Sequence, residues 1–196
     1  MTDSLLQEAI TTLGAWVDEA RAAGEVEPTA MTVASVAADG QPSARVVLLK
    51  QLDARGVVFY TNYDSRKGKE LQGDPRAAAV FYFSRLDRQV RVEGQVEPVS
   101  DAEADAYFAS RHRGSQIGAW ASAQSRPINH RSELEARIAE LESKYEGQTV
   151  PRPPHWSGFR LIPSALELWQ GREHRIHERW RYENGAAGWQ KMLLQP

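Results

Sequence analysis

The chain of 196 residues contains no cysteine. That absence excludes disulfide bonds, thiol catalysis, and zinc or iron–sulfur sites built on cysteine. It also suits a reducing compartment. No apolar stretch approaches the roughly 20 residues that a membrane helix requires, and residues 1–4 lack the basic and apolar regions of a signal peptide. We therefore expect a cytoplasmic protein with no membrane partner.

The sequence also lacks an excess of charge of either sign. Lys and Arg number 24 against 26 Asp and Glu, which gives a formal net charge of −2. Such a chain has no overall positive field to attract nucleic acid, so we expect no nucleic-acid partner. Any site for an anion must come from local clustering of basic residues.

Hydrophobic periodicity divides the chain into four segments. An N-terminal helix is predicted over residues 1–24 and barrel strands over 28–99. A helical segment follows over 100–146, and strands return over 158–196. Roughly eight short strands with short connections favour one antiparallel barrel. We expect a single α+β domain, mostly antiparallel, with flanking helices.

Several element boundaries are more specific predictions. We expect unbroken strands over 43–52 and 173–182, and two strands over 158–162 and 165–170. The capping patterns Ser100-x-x-Glu103 and Ser132-x-x-Glu135 predict two helix starts. Asn184-Gly185 predicts the last turn.

Basic residues flank one of the apolar strands. Arg45 and Lys50 stand at the two ends of Arg45–Lys50. Their separation of five residues directs them to opposite faces of a regular strand. They can share a ligand only across a bulge or from opposite ends of it. The alternative is a core strand whose two cations extend to solvent.

A second cluster lies where a strand ends and a helix begins, at Tyr60–Lys69. Free backbone N–H groups, the helix dipole, a hydroxyl, and the cations Arg66 and Lys67 together favour phosphate. The alternative is an exposed basic helix. Cations at a helix N-terminus oppose its dipole unless an anion is present, so we expect a phosphate site.

The third cluster is Trp169–Arg179. As a strand from residue 173, it places Arg175, His177 and Arg179 on one face. That face is costly unless it meets water or an anionic ligand, so it is either a solvated edge strand or an anion site. His174 and His177 would point to opposite faces of the strand, and we expect no metal site.

A further candidate anion pocket lies between these clusters. Tyr107–Trp120, followed by Gln124 and Ser125, holds two arginines, a serine, a tyrosine and a glycine at a helix–loop–helix junction. Two phosphate pockets suit a phosphorylated cofactor with a phosphorylated substrate. Neither a Rossmann fingerprint nor a Walker loop is present in the sequence.

Taken in order, these segments resemble the signatures of the pyridoxine/pyridoxamine 5′-phosphate oxidase family. The matching stretches are Arg45–Lys50, Tyr60-Thr61, Ser65-Arg66-Lys67, Arg88-Gln89-Val90, Ser110-Arg111, Ser115–Trp120, Gln124-Ser125, Trp169-Gln170-Gly171 and Arg175–Arg179. The resemblance implies an FMN-binding split β-barrel and a homodimer with active sites at its interface. It also implies oxidation of pyridoxine or pyridoxamine 5′-phosphate to pyridoxal 5′-phosphate, with O2 as acceptor and H2O2 as product.

The resemblance further implies which residues form the site. Implied FMN contacts are Arg45, Val46, Val47, Leu48, Leu49, Lys50, Tyr60, Thr61, Arg66, Lys67, Gln89, Gln124, Ser125, Trp169 and Arg179. Implied substrate contacts are Lys50, Tyr107, Arg111, Ser115, Arg175 and His177. Arg175 and His177 are the implied catalytic residues, in positioning and electrostatic roles.

The sequence departs from the family pattern in three places. Residue 112 is His where Pro is common, and the usual terminal Arg-Leu-x-Pro reads Leu193–Pro196. The first predicted helix starts close to Met1, where the family usually has an extension that helps to cover the substrate. None of these places is an implied FMN contact. Two alternatives stay open, a related flavin oxidase of the phenazine-biosynthesis type and a non-catalytic FMN- or pyridoxal-phosphate-binding protein.

Overall fold

A computed structural model describes residues 4–196 of the protein. The expected absence of a signal peptide at residues 1–4 falls almost entirely outside this range. The helices are α1 (Ser4–Ala22), α2 (Arg66–Gly73), α3 (Asp101–Ser110), α4 (Arg113–Ala121) and α5 (Arg131–Lys144). The strands are β1 (Ala30–Val36), β2 (Pro42–Leu48), β3 (Gln51–Asp53), β4 (Gly56–Asn62), β5 (Arg76–Phe83), β6 (Arg88–Pro98), β7 (Trp156–Gln170), β8 (Glu178–Gly185) and β9 (Gly188–Leu194).

The nine strands form one antiparallel sheet that curls back on itself. Seven strands follow the order β2-β1-β5-β6-β7-β4-β3, while β8 pairs with β7, and β9 pairs with β8. The two ends of this order, β2 and β3, are separated in the chain by only Leu49 and Lys50. The sheet must therefore bend until its ends lie side by side. The predicted α+β fold with a mostly antiparallel split barrel is confirmed.

The longest strand, β7, is where the sheet divides. Along one edge it pairs with β6 over nearly its whole length. Along the other edge it pairs first with β4, through residues 156–161, and then with β8, through residues 165–170. A bulge opposite the junction falls at Gly94, where a Cβ atom would lie 1.9 Å from the Ile162 carbonyl oxygen. Only glycine allows this approach.

Several predicted boundaries are corrected by the sheet. The segment 43–52 is two strands, because the chain turns at Leu49 and Lys50 from one barrel end to the other. Conversely, 158–162 and 165–170 are parts of the single strand β7, since β6 pairs across the junction. The final hairpin turns at residues 186–187, because Gly185 still pairs with Gly188.

The helix starts also differ in part from the predictions. The capping box at Ser100 is confirmed, with the Ser100 hydroxyl accepting from the Glu103 N–H. The helix predicted from Ser132 begins instead at Arg131, because the carboxylate of Glu133 accepts from the backbone N–H of His130. The competing capping residue therefore lies two positions earlier in the chain.

The predicted strand over residues 173–182 is wrong in its first half. Residues 171–177 connect β7 to β8, and the residues that bracket this connection, Gln170 and Glu178, pair with each other. Within it, His174 and Arg175 have φ angles of 57° and 61°, a left-handed conformation that few residues other than glycine adopt. Arg175, His177 and Arg179 therefore do not lie on one strand face.

The main core lies between the sheet and α1. Successive turns of α1 bury Leu13 and Val17 against strand residues that include Phe59 and Phe81. A second apolar cluster joins α4 and the start of β7 through Phe108, Ile117, Tyr145, Val150 and Trp156. Trp156 of this second cluster also lines a cleft between the barrel and the helices.

A buried arginine fastens α3 to the barrel. The Arg160 side chain on β7 is 1% exposed, and its guanidinium donates to the carboxylates of Asp53 and Glu103. Glu103 is also the capping-box residue of α3. One ion-pair cluster therefore ties the first turn of α3 to β3 and β7. Tyr107 lies one turn further along that helix.

We expect Arg160→Met to lower the free energy of unfolding by about 3 kcal/mol, because two carboxylates would lose their buried partner. Arg131→Met is the matched control, since it removes an arginine whose side chain is 89% exposed in its pair with Glu135. The control should change stability by less than about 1 kcal/mol. Urea unfolding at one fixed protein concentration measures both values. Equal losses in the two variants would contradict the role given to Arg160.

Candidate active site

A cleft of about 460 Å³ opens where the ends of β2 and β4 meet the helices. Strand ends, the start of α2, and two helices with their connection contribute its walls. The lining residues are Val46, Val47, Leu48, Lys50, Tyr60, Thr61, Asn62, Lys67, Tyr107, Arg111, Ser115, Gly118, Ala119, Ser122, Gln124 and Trp156. Eleven of these were predicted as site residues from the sequence.

Stacked rings form one wall of the cleft. The ring centroids of Tyr60 and Tyr107 are 4.1 Å apart, and those of Tyr60 and Trp156 are 5.3 Å apart with nearly parallel planes. Burial, reinforced by the charge of Glu103, raises the pKa of the Tyr60 phenol. Tyr60 is therefore neutral at physiological pH. Its hydroxyl donates to the Glu103 carbonyl oxygen at 3.3 Å.

Arg111 places a cation over this wall. Its guanidinium carbon lies 4.8 Å from the centroid of the Trp156 ring, within cation–π range. Its Nη1 atom is buried and has no hydrogen-bond partner among the residues that the structure describes. Burial lowers the pKa of Arg111, yet arginine stays charged in proteins. A buried donor of this kind suits an anionic ligand.

Lys67 supplies a separate cation at the start of α2. Its Nζ donates to Thr61 Oγ1 at 2.7 Å and to Gln124 Oε1 at 3.2 Å. Burial, with the nearby charge of Arg45, lowers the pKa of Lys67 to about 8. Ser65 is the N-cap of this helix, since its side chain accepts from the Gly68 N–H at 3.1 Å. Phosphate is the ligand class that this arrangement favours.

The remaining predicted residues of this region lie beside the cleft. Arg45 and Arg66 both donate to the buried carboxylate of Glu70. Leu49 packs in the main core, so its side chain faces away from the cleft. Ser125, with φ of 71°, is exposed in the connection after α4.

Another group of predicted residues lies at the far end of β7. Gln89, Trp169 and Arg179 are register partners across β6, β7 and β8. The Arg179 guanidinium is held by both carboxylate oxygens of Glu167. The His177 ring contacts the Trp169 ring at a tilt of 43°, with ring centroids 4.7 Å apart. This group, with Arg175 in the adjoining connection, does not line the cleft.

Five cleft residues were not predicted from the sequence. They are Asn62, Gly118, Ala119, Ser122 and Trp156. Trp156 carried a usable signal, since a large apolar side chain shortly after a proline-rich loop indicates the start of a buried strand. Asn62, at the end of β4, carried no such signal, because its amide donates to the carbonyl oxygen of Ser122, which lies 60 residues away in the chain. The small residues carried no signal.

The departure at residue 112 has a local explanation. His112 precedes α4, and its Nδ1 accepts from the Gly114 N–H at 3.2 Å. An imidazole therefore caps the helix that carries Ser115.

Among residues 4–196, no group of three or more His, Asp or Glu side chains is arranged to hold a metal ion. Within the same range, no helix has the length and apolar character needed to cross a membrane.

The fold defines a split-barrel protein, and its cleft joins stacked rings to cations suited to a phosphorylated aromatic ligand. The family model for pyridoxamine 5′-phosphate oxidase matches residues 17–145. The model for the pyridoxine 5′-phosphate oxidase C-terminal dimerisation region matches residues 156–196. The chain belongs to the pyridoxamine 5′-phosphate oxidase family, as the sequence resemblance predicted.

Relatives of known name agree with this assignment. A pyridoxine/pyridoxamine 5′-phosphate oxidase of Myxococcus xanthus (strain DK1622) is 60% identical over 179 residues, which is 91% of this chain and 87% of the relative. The corresponding oxidase of Bordetella petrii is 53% identical over 197 residues, which is 100% of this chain and 93% of the relative.

Two solved structures are also similar. PhzG from Burkholderia lata 383, in complex with tetrahydrophenazine-1-carboxylic acid, has a TM-score of 0.91 and 36% identity, covering 95% of this chain and 92% of that one. A pyridoxamine 5′-phosphate oxidase-related, FMN-binding protein from Nostoc punctiforme has a TM-score of 0.77 and 17% identity, covering 95% and 96%. The latter likeness shows the fold alone.

We expect Lys67 to titrate near its lowered pKa of about 8 in the protein without ligand. A phosphate ligand binds the protonated form better, so its dissociation constant should rise as pH rises above that value. NMR titration of 13Cε-labelled lysine measures the pKa, and fluorescence titration with FMN measures the affinity. Lys67→Met should remove both the resonance and this pH dependence. An ordinary lysine pKa for Lys67 would contradict the prediction.

Proposed function

We propose that the protein is an FMN-dependent oxidase that converts pyridoxine or pyridoxamine 5′-phosphate to pyridoxal 5′-phosphate, with O2 as acceptor and H2O2 as product. The supporting observation is that one cleft holds three cations, Lys50, Lys67 and Arg111, beside a wall of stacked rings. Among the described residues, the buried Nη1 of Arg111 has no hydrogen-bond partner. A cofactor and a substrate that each carry a ring and a phosphate fit this combination. The cytoplasmic location stays a prediction.

The residues present fit FMN. In this proposal its phosphate lies at the start of α2, on Arg45, Arg66 and Lys67, with Thr61 and Gln124 beside them. FMN, when bound, accepts the two electrons that leave the substrate at C4′. The protein's own contribution is to hold the two ligands, to orient them, and to exclude water from between their rings.

Arg111 is the proposed partner of the substrate phosphate. Its buried Nη1 has hydrogen-bonding capacity that the described residues do not use, and Ser115 lines the same cleft. Tyr107 and Lys50 would complete the substrate pocket. A bond from this charged donor to a phosphate would recover the free energy lost by burying Nη1 without a hydrogen-bond partner among the described residues.

The second group of residues supports a dimer with shared sites. Trp156 and Trp169 stand near the two ends of β7, roughly 40 Å apart along the strand at about 3.3 Å a residue. One FMN is much shorter than that distance. We therefore propose that Gln89, Trp169 and Arg179 of one subunit, with Arg175 and His177, complete the cleft of its partner.

Surface chemistry of the dimerisation region agrees with this arrangement. Ile176 is 68% exposed and Leu193 is 60% exposed in the single chain, and both line a smaller cleft of about 390 Å³ beside His177. Apolar side chains exposed within a matched dimerisation region suit burial against a second copy. We propose that residues 4–196 act as one FMN-binding unit within such a homodimer.

Mixing two inactive variants tests the shared site. Arg111→Ala and Arg175→Ala should each lower kcat/KM by about 10- to 100-fold, the loss expected for a charge-assisted bond. In a mixed dimer, one site carries both substitutions and the other carries neither. Unfolding and refolding an equal mixture should therefore restore about one quarter of the wild-type activity.

A mixture of Arg111→Ala with Arg131→Ala, unfolded and refolded in the same way, is the matched control. Arg131 is exposed on α5 and belongs to neither group of site residues. If the refolded mixture of Arg111→Ala and Arg175→Ala stays inactive, each site lies within one chain and the shared arrangement is wrong. Analytical ultracentrifugation of both mixtures shows whether dimers formed.

A second candidate function follows from the similarity to PhzG, whose structure holds a reduced phenazine carboxylate. Peroxide formation by the FMN-loaded protein distinguishes the two. We expect peroxide and pyridoxal 5′-phosphate in equal amounts from pyridoxine 5′-phosphate or pyridoxamine 5′-phosphate. Peroxide from tetrahydrophenazine-1-carboxylic acid alone would favour the second function. Flavin binding without peroxide from any of the three would indicate a binding protein.

A further inference from the structure

Glu70 is a buried carboxylate beside the proposed FMN phosphate site. It lies one turn into α2, four residues after Arg66, and its side chain is 6% exposed. Buried acidic side chains need partners for their charge. None of the predicted site residues is acidic, and the sequence signatures did not single out Glu70.

The two oxygens of Glu70 have different partners. Oε2 accepts from Ser35 Oγ and Ser43 Oγ, each at 2.6 Å, and from Arg45 Nη2 at 2.9 Å. Oε1 accepts from Arg66 Nε at 2.8 Å. The carboxylate therefore bridges β1, β2 and α2, and it holds two arginines that come from different elements.

The charge of Glu70 is retained in this environment. Burial acts against ionisation, but the hydrogen bonds from Ser35, Ser43, Arg66 and Arg45 outweigh it and lower the pKa of Glu70 to about 2. Both arginines therefore face a carboxylate throughout the physiological range. Their guanidinium groups are held in place before any ligand arrives.

The balance of charges matches a phosphate dianion. Arg45 lies close enough to Lys67 to lower the pKa of that lysine. With Arg66, they place three cations at the start of α2, and the carboxylate of Glu70 leaves a net charge of +2. Without Glu70, the three cations would repel one another, and the arginines would lose their shared acceptor.

We propose that Glu70 is a positioning residue that holds Arg45 and Arg66 in place for the phosphate of FMN. Its effect is selectivity for FMN over riboflavin, which has the same ring system but no phosphate. This inference rests on the proposed location of FMN. It assigns to Glu70 no contact with the cofactor and no part in the chemical step.

The test compares the dissociation constants of FMN and riboflavin for the apoprotein by fluorescence quenching. We expect Glu70→Ala to weaken FMN binding about 10- to 100-fold, which corresponds to losing ordered charge-assisted bonds. Riboflavin binding should change by less than about 3-fold, because its contacts do not involve the arginines. Glu140→Gln, on an exposed position of α5, is the control and should leave both constants unchanged.

Glu70→Gln keeps the volume of the side chain and serves if the alanine variant fails to fold. Its amide oxygen can still accept from the serines and Arg45, but its NH2 group cannot accept from Arg66. It should therefore lose about 3- to 10-fold in FMN affinity and show partial rescue relative to alanine.

Three outcomes would overturn the inference. Equal losses of FMN and riboflavin binding in the Glu70 variants would indicate a purely structural role. Unchanged preference for FMN in both variants would show that the arginines need no positioning. If the wild-type apoprotein itself bound riboflavin as well as FMN, the proposed phosphate location would fail together with the inference. The peroxide assay would still report separately on the oxidase.

Discussion

The structure depends on the pairing of β7 with three other strands. One edge of β7 pairs with β6 over nearly its whole length. The other edge pairs first with β4 and then with β8, and the partner changes at the residues opposite Gly94. The first half of β7 therefore belongs to the split barrel, and the second half pairs with the C-terminal hairpin. Because both halves share one backbone, the cleft at Trp156 and the group around Trp169 keep a constant separation.

The charged residues show a consistent pattern around this frame. Three arginines each pair with the carboxylate of a glutamate. The pairs are Arg160 with Glu103, Arg179 with Glu167, and Arg45 with Glu70. Removing one partner from such a pair is strongly destabilising, because the other charge is left buried without compensation. Arg111 differs from them, since its buried Nη1 has no partner among the described residues. Arg111 therefore has a donor available to a ligand before one binds, whereas the other three arginines already have carboxylate partners.

Much of the site was predictable because its residues cluster along the chain. Tyr60, Thr61 and Lys67 fall within one strand-to-helix junction, so local geometry alone brings them together. Tyr107 and Arg111 lie one helical turn apart for the same reason. Glu70 was missed because its role depends on Ser35, Ser43 and Arg45, which lie on strands far from it in sequence. No local pattern reports such a contact.

The amino-acid sequence was enough to predict the family, the α+β class, the helix start at Ser100, and the basic character of the α2 junction. These features follow from short-range spacing and from side-chain chemistry. Three features required the folded chain: 158–170 lies within one strand, residues 171–177 form a connection, and Leu49 faces the core. Each of these depends on which strands pair across the sheet. Backbone hydrogen bonds between distant segments make that choice, and residues near in sequence do not encode it.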